Sequence, residues 1–192
     1  MADFDTEKVN TPQVEITPAF VVPIFTIKVK NWDEKKKKLL SLVDWNNPDH
    51  NNNDQFSDYH PDVNSLYLDD FMQIIEEELS SFVSVHQQSF MLQNVWAQRY
   101  KTENFMRVHT HGSIGFSAVL FAEFDVEEHS ATTFFGPVKN PLTDIDQTYT
   151  PAVTEGTLIL FPKYLLHYVS PNTSTKDRTI FSFNLEPHRN NG

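Results

Sequence analysis

The sequence predicts a mainly β fold of the α+β kind, a double-stranded β-helix or jelly roll, with two N-terminal helices packed on one outer face. Three observations carry that expectation. Beyond about residue 90 the chain is a run of roughly seven or eight short apolar segments separated by turns, the spacing of a sandwich or barrel. Aromatic content is 13%, with 16 Phe against 5 Gly, so packed aromatic strands and not glycine-rich loops give the fold its character. Helical periodicity appears only before that point.

Taken in order, residues 1–17 are polar and mixed and predict a loose arm. The segment Val21 to Lys30 is β-branched and alternates from Phe25 onward, with Pro23 placing its start at a sheet edge. Asn31 then suits an N-cap, and Asp33, Glu34, Leu39, Leu40 and Val43 a short amphipathic helix, with Lys35 to Lys38 on its solvated face. Asp44 to Asn64 has almost no apolar period and predicts a long loop able to act as a lid. Leu66, Phe71, Ile74, Ile75, Leu79, Phe82 and Val83 recur at three and four, which predicts one helix of some twenty residues with Glu76 to Glu78 outside. Strands follow at Val95–Tyr100, Phe116–Phe124, Ala131–Phe135, Gly156–Phe161, Leu165–Val169 and Thr179–Leu185, with a loop from Asn140 to about Pro151. The length of 192 residues suits a single domain, 1–192, made of the arm at 1–17, a strand and supporting helices at 18–90, and a jelly-roll core at 91–187.

Composition excludes several classes of function. The net charge of −11 repels nucleic acid at long range, so duplex binding is not expected. With no cysteine there is no disulfide framework and no thiolate chemistry. The start, Met1-Ala2-Asp3-Phe4-Asp5, lacks the basic and apolar regions of a signal peptide, and no apolar run approaches a membrane span. A soluble, cytoplasmic protein is expected.

The chemistry concentrates at Arg107-Val108-His109-Thr110-His111-Gly112. Histidines at i and i+2 of an extended segment project to one side and can share a ligand. An imidazole pair at a strand end suits a transition metal and needs one further group to close a facial site. His167, alone among apolar residues on a later strand, supplies it, so His109, His111 and His167 are expected to hold one metal ion. Arg178, eleven residues further on, could reach back over the metal. In an acidic protein such a guanidinium calls for an anion, and a small dicarboxylate chelating the metal could pair with it in bidentate fashion.

These segments resemble the iron(II)- and 2-oxoglutarate-dependent dioxygenases. The likeness is greatest to a prolyl-4-hydroxylase-like branch of uncharacterised oxygenases found in cyanobacteria and their phages. It rests on Val108-His109-Thr110-His111, on Ser117-Ala118-Val119-Leu120-Phe121, on Leu160-Phe161-Pro162 with His167, Val169 and Pro171-Asn172, and on Arg178, Ser182, Phe183 and Asn184, over roughly residues 94–185. The resemblance implies a single dioxygenase domain in which His109, His111 and His167 ligate iron(II), and Arg178 binds the remote carboxylate of 2-oxoglutarate. With molecular oxygen the enzyme would act as a hydroxylase on a peptide, prolyl or small-molecule substrate and release succinate, in the cytoplasm, including that of a phage-infected host. Three departures stand out. His111 occupies a position that is usually Asp or Glu; Leu120 and Phe121 replace tyrosines, leaving Tyr100 or Gln98 as the hydroxyl or amide partner of the cosubstrate; and Thr179 or Ser182 must assist Arg178. Two alternatives stay open: a cupin-like three-histidine metalloenzyme that does not use 2-oxoglutarate, though the glutamate usual after such a pair is missing at Ile114 to Phe116, and a non-catalytic jelly-roll binding module. His50, His60, His129 and His188 are expected at the surface, His86 at a helix C-terminus, and Trp96 inside a strand.

Overall fold

In a computed structural model of the chain, residues 21–52, 55–60 and 65–188 are described; the expected arm at 1–17 and positions 53–54 and 61–64 of the long loop lie outside them. The elements begin with β1 (Phe25–Lys28), α1 (Trp32–Ser41), β2 (Asn51–Asn52), β3 (Gln55–Ser57), α2 (Leu68–Ile74) and α3 (Glu76–His86). Strands then follow without interruption: β4 (Phe90–Tyr100), β5 (Met106–His109), β6 (Phe116–Glu123), β7 (Thr133–Lys139), β8 (Asp146–Tyr149), β9 (Thr157–Pro162), β10 (His167–Val169) and β11 (Arg178–Pro187).

They form two antiparallel sheets, ordered β1-β9-β6-β11-β4-β3-β2 and β5-β10-β7-β8. This is the double-stranded β-helix that the strand spacing predicts. Side chains alternate across the larger sheet. One face, with Val95, Ala97, Leu120, Leu158, Phe181 and Phe183, packs under the helical residues Leu39, Phe71, Ile75 and Phe82. The other, with Tyr100, Val119, Ile159 and Ile180, shares an apolar cluster with Phe134 and Val169 of the smaller sheet. The helices therefore seal the outside of the large sheet and leave its inner face for the space between the sheets.

Several local expectations are corrected. The predicted twenty-residue helix is two, broken at Ile75 (φ −108°, ψ 17°), so three helices cover the sheet and not two. Ile75 itself stays fully buried at the break. Asn31 does precede α1, but in the left-handed conformation and without a side-chain cap; its carbonyl accepts from Glu34 and Lys35 instead. Glu78 is not outside. It is 2% exposed, where Lys35 Nζ donates to both its oxygens at 2.9 and 2.7 Å and the Lys30 amide to one at 3.0 Å. Lys36 likewise pins α1 to Glu155 at 2.8 Å, so the lysine run is partly an anchor. The long loop carries the β2–β3 hairpin, because Phe56 is only 2% exposed and holds it on β4, and the loop after Asn140 contains β8.

Candidate metal centre

β5 and β10 pair antiparallel, with His109 opposite His167 and a shift of register before Val169. His111 follows two residues after β5 has ended, and its amide donates to the Lys163 carbonyl at 2.9 Å, which fastens the segment over the end of β9. The three donor atoms of His109, His111 and His167 lie within 4.8 Å of one another. The Nδ1 of His109 meets the Arg107 carbonyl at 2.7 Å and that of His167 meets the Leu165 carbonyl at 2.8 Å. A carbonyl only accepts, so both Nδ1 atoms carry the proton and both Nε2 lone pairs are free. The Nε2 atoms of His111 and His167 are 3.2 Å apart. Two nitrogens each about 2.1 Å from one ion and at right angles are separated by roughly 3.0 Å, so the donor set fits a metal.

The electrostatics favour neutral rings, the ligating form. Burial, then the proximity of His167, His109 and Lys163, pushes His111 down to about 3. Burial also lowers His167 to about 4, partly opposed by its bond to the Leu165 carbonyl.

The histidines open into a cavity of about 980 Å³ between the sheets. Gln98, Tyr100 and Ser182 line it as well. Arg178 does not, although it is near: its guanidinium lies 4.2 Å over the ring of Tyr100, its register partner on β4. Arg178 is 2% exposed, Nη1 donates to the Ser130 carbonyl at 2.6 Å, and Nε is buried without a partner. No carboxylate pairs with it among the described residues, unlike the neighbouring Arg99, which meets Glu123 at 3.3 Å. Burial works against its charge, with Tyr100 opposing that shift. A buried cation lacking a counter-charge is costly unless a ligand supplies one. Thr179, by contrast, points away and hydrogen-bonds Glu123 at 2.5 Å.

Sequence reasoning missed part of the cavity wall. The ring of Trp96 is 5.7 Å from that of His111, and Tyr59 stands edge-on to Trp96 at 5.1 Å. Tyr59 belongs to the segment after β3, inside the stretch that the sequence reads as a loop with almost no apolar period. His129 is half-buried at the surface, where its Nδ1 accepts from the Asp125 amide at 3.0 Å and its Nε2 lies 3.1 Å from the Lys176 carbonyl. His86 packs among Phe25, Phe82, Phe90 and Phe116.

A double-stranded β-helix with a histidine cluster in the mouth between its sheets defines a class, the metal-binding jelly rolls. The comparison with known families narrows it. Residues 94–184 match the family described as "Putative 2OG-Fe(II) oxygenase". No curated protein matches the chain by sequence. Among solved structures, it is similar to the viral collagen prolyl hydroxylase of Paramecium Bursaria Chlorella virus-1 in complex with 2-oxoglutarate (14% identity, 86% of this chain and 96% of that one, TM-score 0.58). It is also similar to a Pseudomonas putida prolyl-4-hydroxylase (12%, 88% and 94%, 0.57) and to HygX of Streptomyces hygroscopicus with nickel, 2-oxoglutarate and hygromycin B bound (12%, 86% and 83%, 0.60). At these identities the likeness is one of fold. No helix among the described residues is long and apolar enough to cross a membrane.

Proposed function

We propose that the protein is a non-haem iron(II)- and 2-oxoglutarate-dependent hydroxylase, a single dioxygenase domain in which His109, His111 and His167 hold the metal and Arg178 binds the distal carboxylate of 2-oxoglutarate. The observation that carries this reading is the combination of three converging imidazoles in one cavity with a buried guanidinium that has no acidic partner among the described residues and lies over the cavity-lining ring of Tyr100. Bound iron(II) with 2-oxoglutarate and molecular oxygen supplies the oxidising power: one oxygen atom goes to the C–H bond of the substrate, the other to succinate, and carbon dioxide leaves. The chain's own residues position and enclose. Tyr100, with its hydroxyl donating to Gln98 Oε1 at 3.2 Å, stands between Arg178 and the cavity and presents the polar edge a keto acid needs. Ser182 adds a hydroxyl on the same face.

Two structural relatives are prolyl hydroxylases and a third holds hygromycin B, so the shared fold is compatible with peptidyl and small-molecule substrates alike. Anaerobic titration with iron(II) and then 2-oxoglutarate tests the proposal. A chelated keto acid gives a weak visible metal-to-ligand charge-transfer band, followed on admitting oxygen by succinate release. Metal binding with no such band at saturating 2-oxoglutarate sinks the proposal in favour of a cupin-like three-histidine enzyme; no metal binding leaves a jelly-roll binding module.

A further inference from the structure

The inner face of β11 carries Arg178, Ile180, Ser182 and Asn184 in alternation. At about 3.3 Å per residue, Arg178 and Asn184 are roughly 20 Å apart along the strand. The imidazoles sit toward the Asn184 end, since Trp96, whose ring is 5.7 Å from that of His111, is the register partner of Ser182. A five-carbon diacid running from the metal toward Arg178 leaves the other half of the cavity vacant. The total volume of about 980 Å³ is ample for a second ligand.

That other half is built from neutral polar groups. Ser117 Oγ donates to Asn184 Oδ1 at 2.6 Å, and Asn184 Nδ2 donates to Asn94 Oδ1 at 2.8 Å. The two bonds fix which edge of the Asn184 amide is oxygen and which is nitrogen. Each atom keeps one valence: a second lone pair on Oδ1 and a second N–H on Nδ2. Asn184 is 7% exposed and lines the cavity, so that is where those valences face. The buried Lys163 is tied to Glu186 at 2.7 Å, and the charged lining residues Glu103 and Arg107 are exposed. A donor and an acceptor side by side, with no charge, complement an amide. A carboxylate or ammonium group there would be desolvated without a counter-charge.

Resting on the proposed hydroxylase reading, we infer that Asn184, held by Ser117 and Asn94, is a specificity-determining residue for the oxidised substrate and recognises an uncharged amide packed against Trp96 and Tyr59. The amide belongs either to a peptide backbone or to a free carboxamide.

The test uses the full chain loaded with iron(II) and 2-oxoglutarate. The probes are a pool of N-acetylated, C-amidated pentapeptides, a panel of primary carboxamides, and free amino acids, with succinate release above the background without probe as the readout. At least one of the two amide sets should raise release about fivefold or more, which also tells backbone from carboxamide, and the free amino acids should not. Asn184→Leu should cut that stimulation by about tenfold, the effect of leaving a buried amide unpaired, and Asn94→Ala should reduce it less. In both variants the charge-transfer band reports folding, and 2-oxoglutarate affinity should stay within about twofold of the parent. Stimulation that survives Asn184→Leu, equal stimulation by free amino acids, or none by either amide set overturns the inference. So does a tenfold loss of 2-oxoglutarate affinity in Asn184→Leu, which would make Asn184 a keto-acid residue. Absence of the charge-transfer band in the parent protein is a different failure, that of the hydroxylase reading, and the inference falls with it.

Discussion

The Nε2 atoms of His111 and His167 face each other at 3.2 Å with their rings within 12° of parallel, across 56 residues of sequence. Neither nitrogen is protonated in the ligating form, and two lone pairs aimed at one point repel unless a cation lies between them. Removing either ring should therefore abolish stoichiometric binding. His111→Ala or His167→Ala is expected to lower nickel(II) or iron(II) affinity by at least about a hundredfold in calorimetric titration, beyond the 10- to 100-fold typical of losing a mere supporting partner. His111→Asp restores a carboxylate at that corner and should keep the metal. Loss of metal in His111→Asp as complete as in His111→Ala would show that the pocket cannot seat a carboxylate.

The same burial gives the metal-free protein a pH dependence. His111 and His167 are lowered to about 3 and about 4 from 6.5, so in that window the unfolded chain binds more protons than the folded one. Stability then rises with pH. Their contribution is fully present above about 6.5 and is lost as pH falls through about 4 and about 3. Urea unfolding of metal-free protein at pH 7.0, 6.0 and 5.0 should show a falling midpoint, and the His111→Gln/His167→Gln double variant a flatter profile. Parallel profiles would mean that these two rings do not drive the effect.

Much of this site was legible in the sequence because its signals are local or chemical. An i, i+2 histidine pair on an extended segment has one geometric consequence, and a lone histidine in an apolar strand has few uses beside it. What was not legible depends on partners distant in sequence. Glu78 carries the same helical address whether it meets water or Lys35, and only the approach of α1 decides. The kink at Ile75 leaves the three-and-four periodicity unbroken, so the pattern could not announce it. Asn184 and Ser117 drew notice as parts of a motif, but their hydrogen bond spans 67 residues and exists only once β6 and β11 pair.

Arg178 offers a separable prediction. Its guanidinium stacks on Tyr100 and has no acidic partner among the described residues, so on the proposed reading a bound carboxylate would supply the missing charge. Arg178→Ala should weaken 2-oxoglutarate binding by at least about 30-fold, or roughly 2 kcal/mol, the low end for truncating one member of a buried charge pair. Metal affinity should stay within about threefold, because Arg178 is not among the converging donors. Anaerobic titration of the charge-transfer band measures the first and calorimetry the second; iron lost together with the keto acid would place Arg178 in the metal site.

The Glu78–Lys35 pair tests how the helices are secured. Glu78 is almost wholly buried, and its oxygens take one backbone and two ammonium hydrogen bonds. Glu78→Ala leaves Lys35 and the Lys30 amide without their acceptor and should cost about 3 kcal/mol, the lower part of the range for breaking a buried ion pair. Lys35→Met keeps the apolar stem but strands the carboxylate beside the Lys30 amide, and should cost a similar amount. The double variant Glu78→Ala/Lys35→Met removes both charges and should recover part of the loss in a double-mutant cycle by chemical denaturation. Strictly additive effects would mean that the pair is not coupled.

Two glycines that follow the histidine segment separate backbone conformation from space. Gly112 (φ +122°) has no atom within 4 Å of where a Cβ would stand, so Gly112→Ala meets only the cost of an unfavourable backbone region. Gly115 (φ +93°) carries the same conformational demand, and its Cβ would stand 2.1 Å from the Leu185 carbonyl oxygen. That oxygen belongs to β11 and cannot turn aside as a side-chain tip could. The Gly115 carbonyl also accepts from the Lys163 amide at 3.1 Å, the residue whose own carbonyl holds the His111 amide. Displacing Gly115 therefore shifts the support of His111 as well as the strand. Gly112→Ala should cost about 1–2 kcal/mol and leave metal affinity close to that of the parent. Gly115→Ala should cost about 3 kcal/mol or more, adding a backbone clash to the same strain, and weaken nickel(II) binding about tenfold in calorimetric titration. Equal losses of stability in the two variants would mean that Leu185 yields and that conformation alone makes both positions glycine.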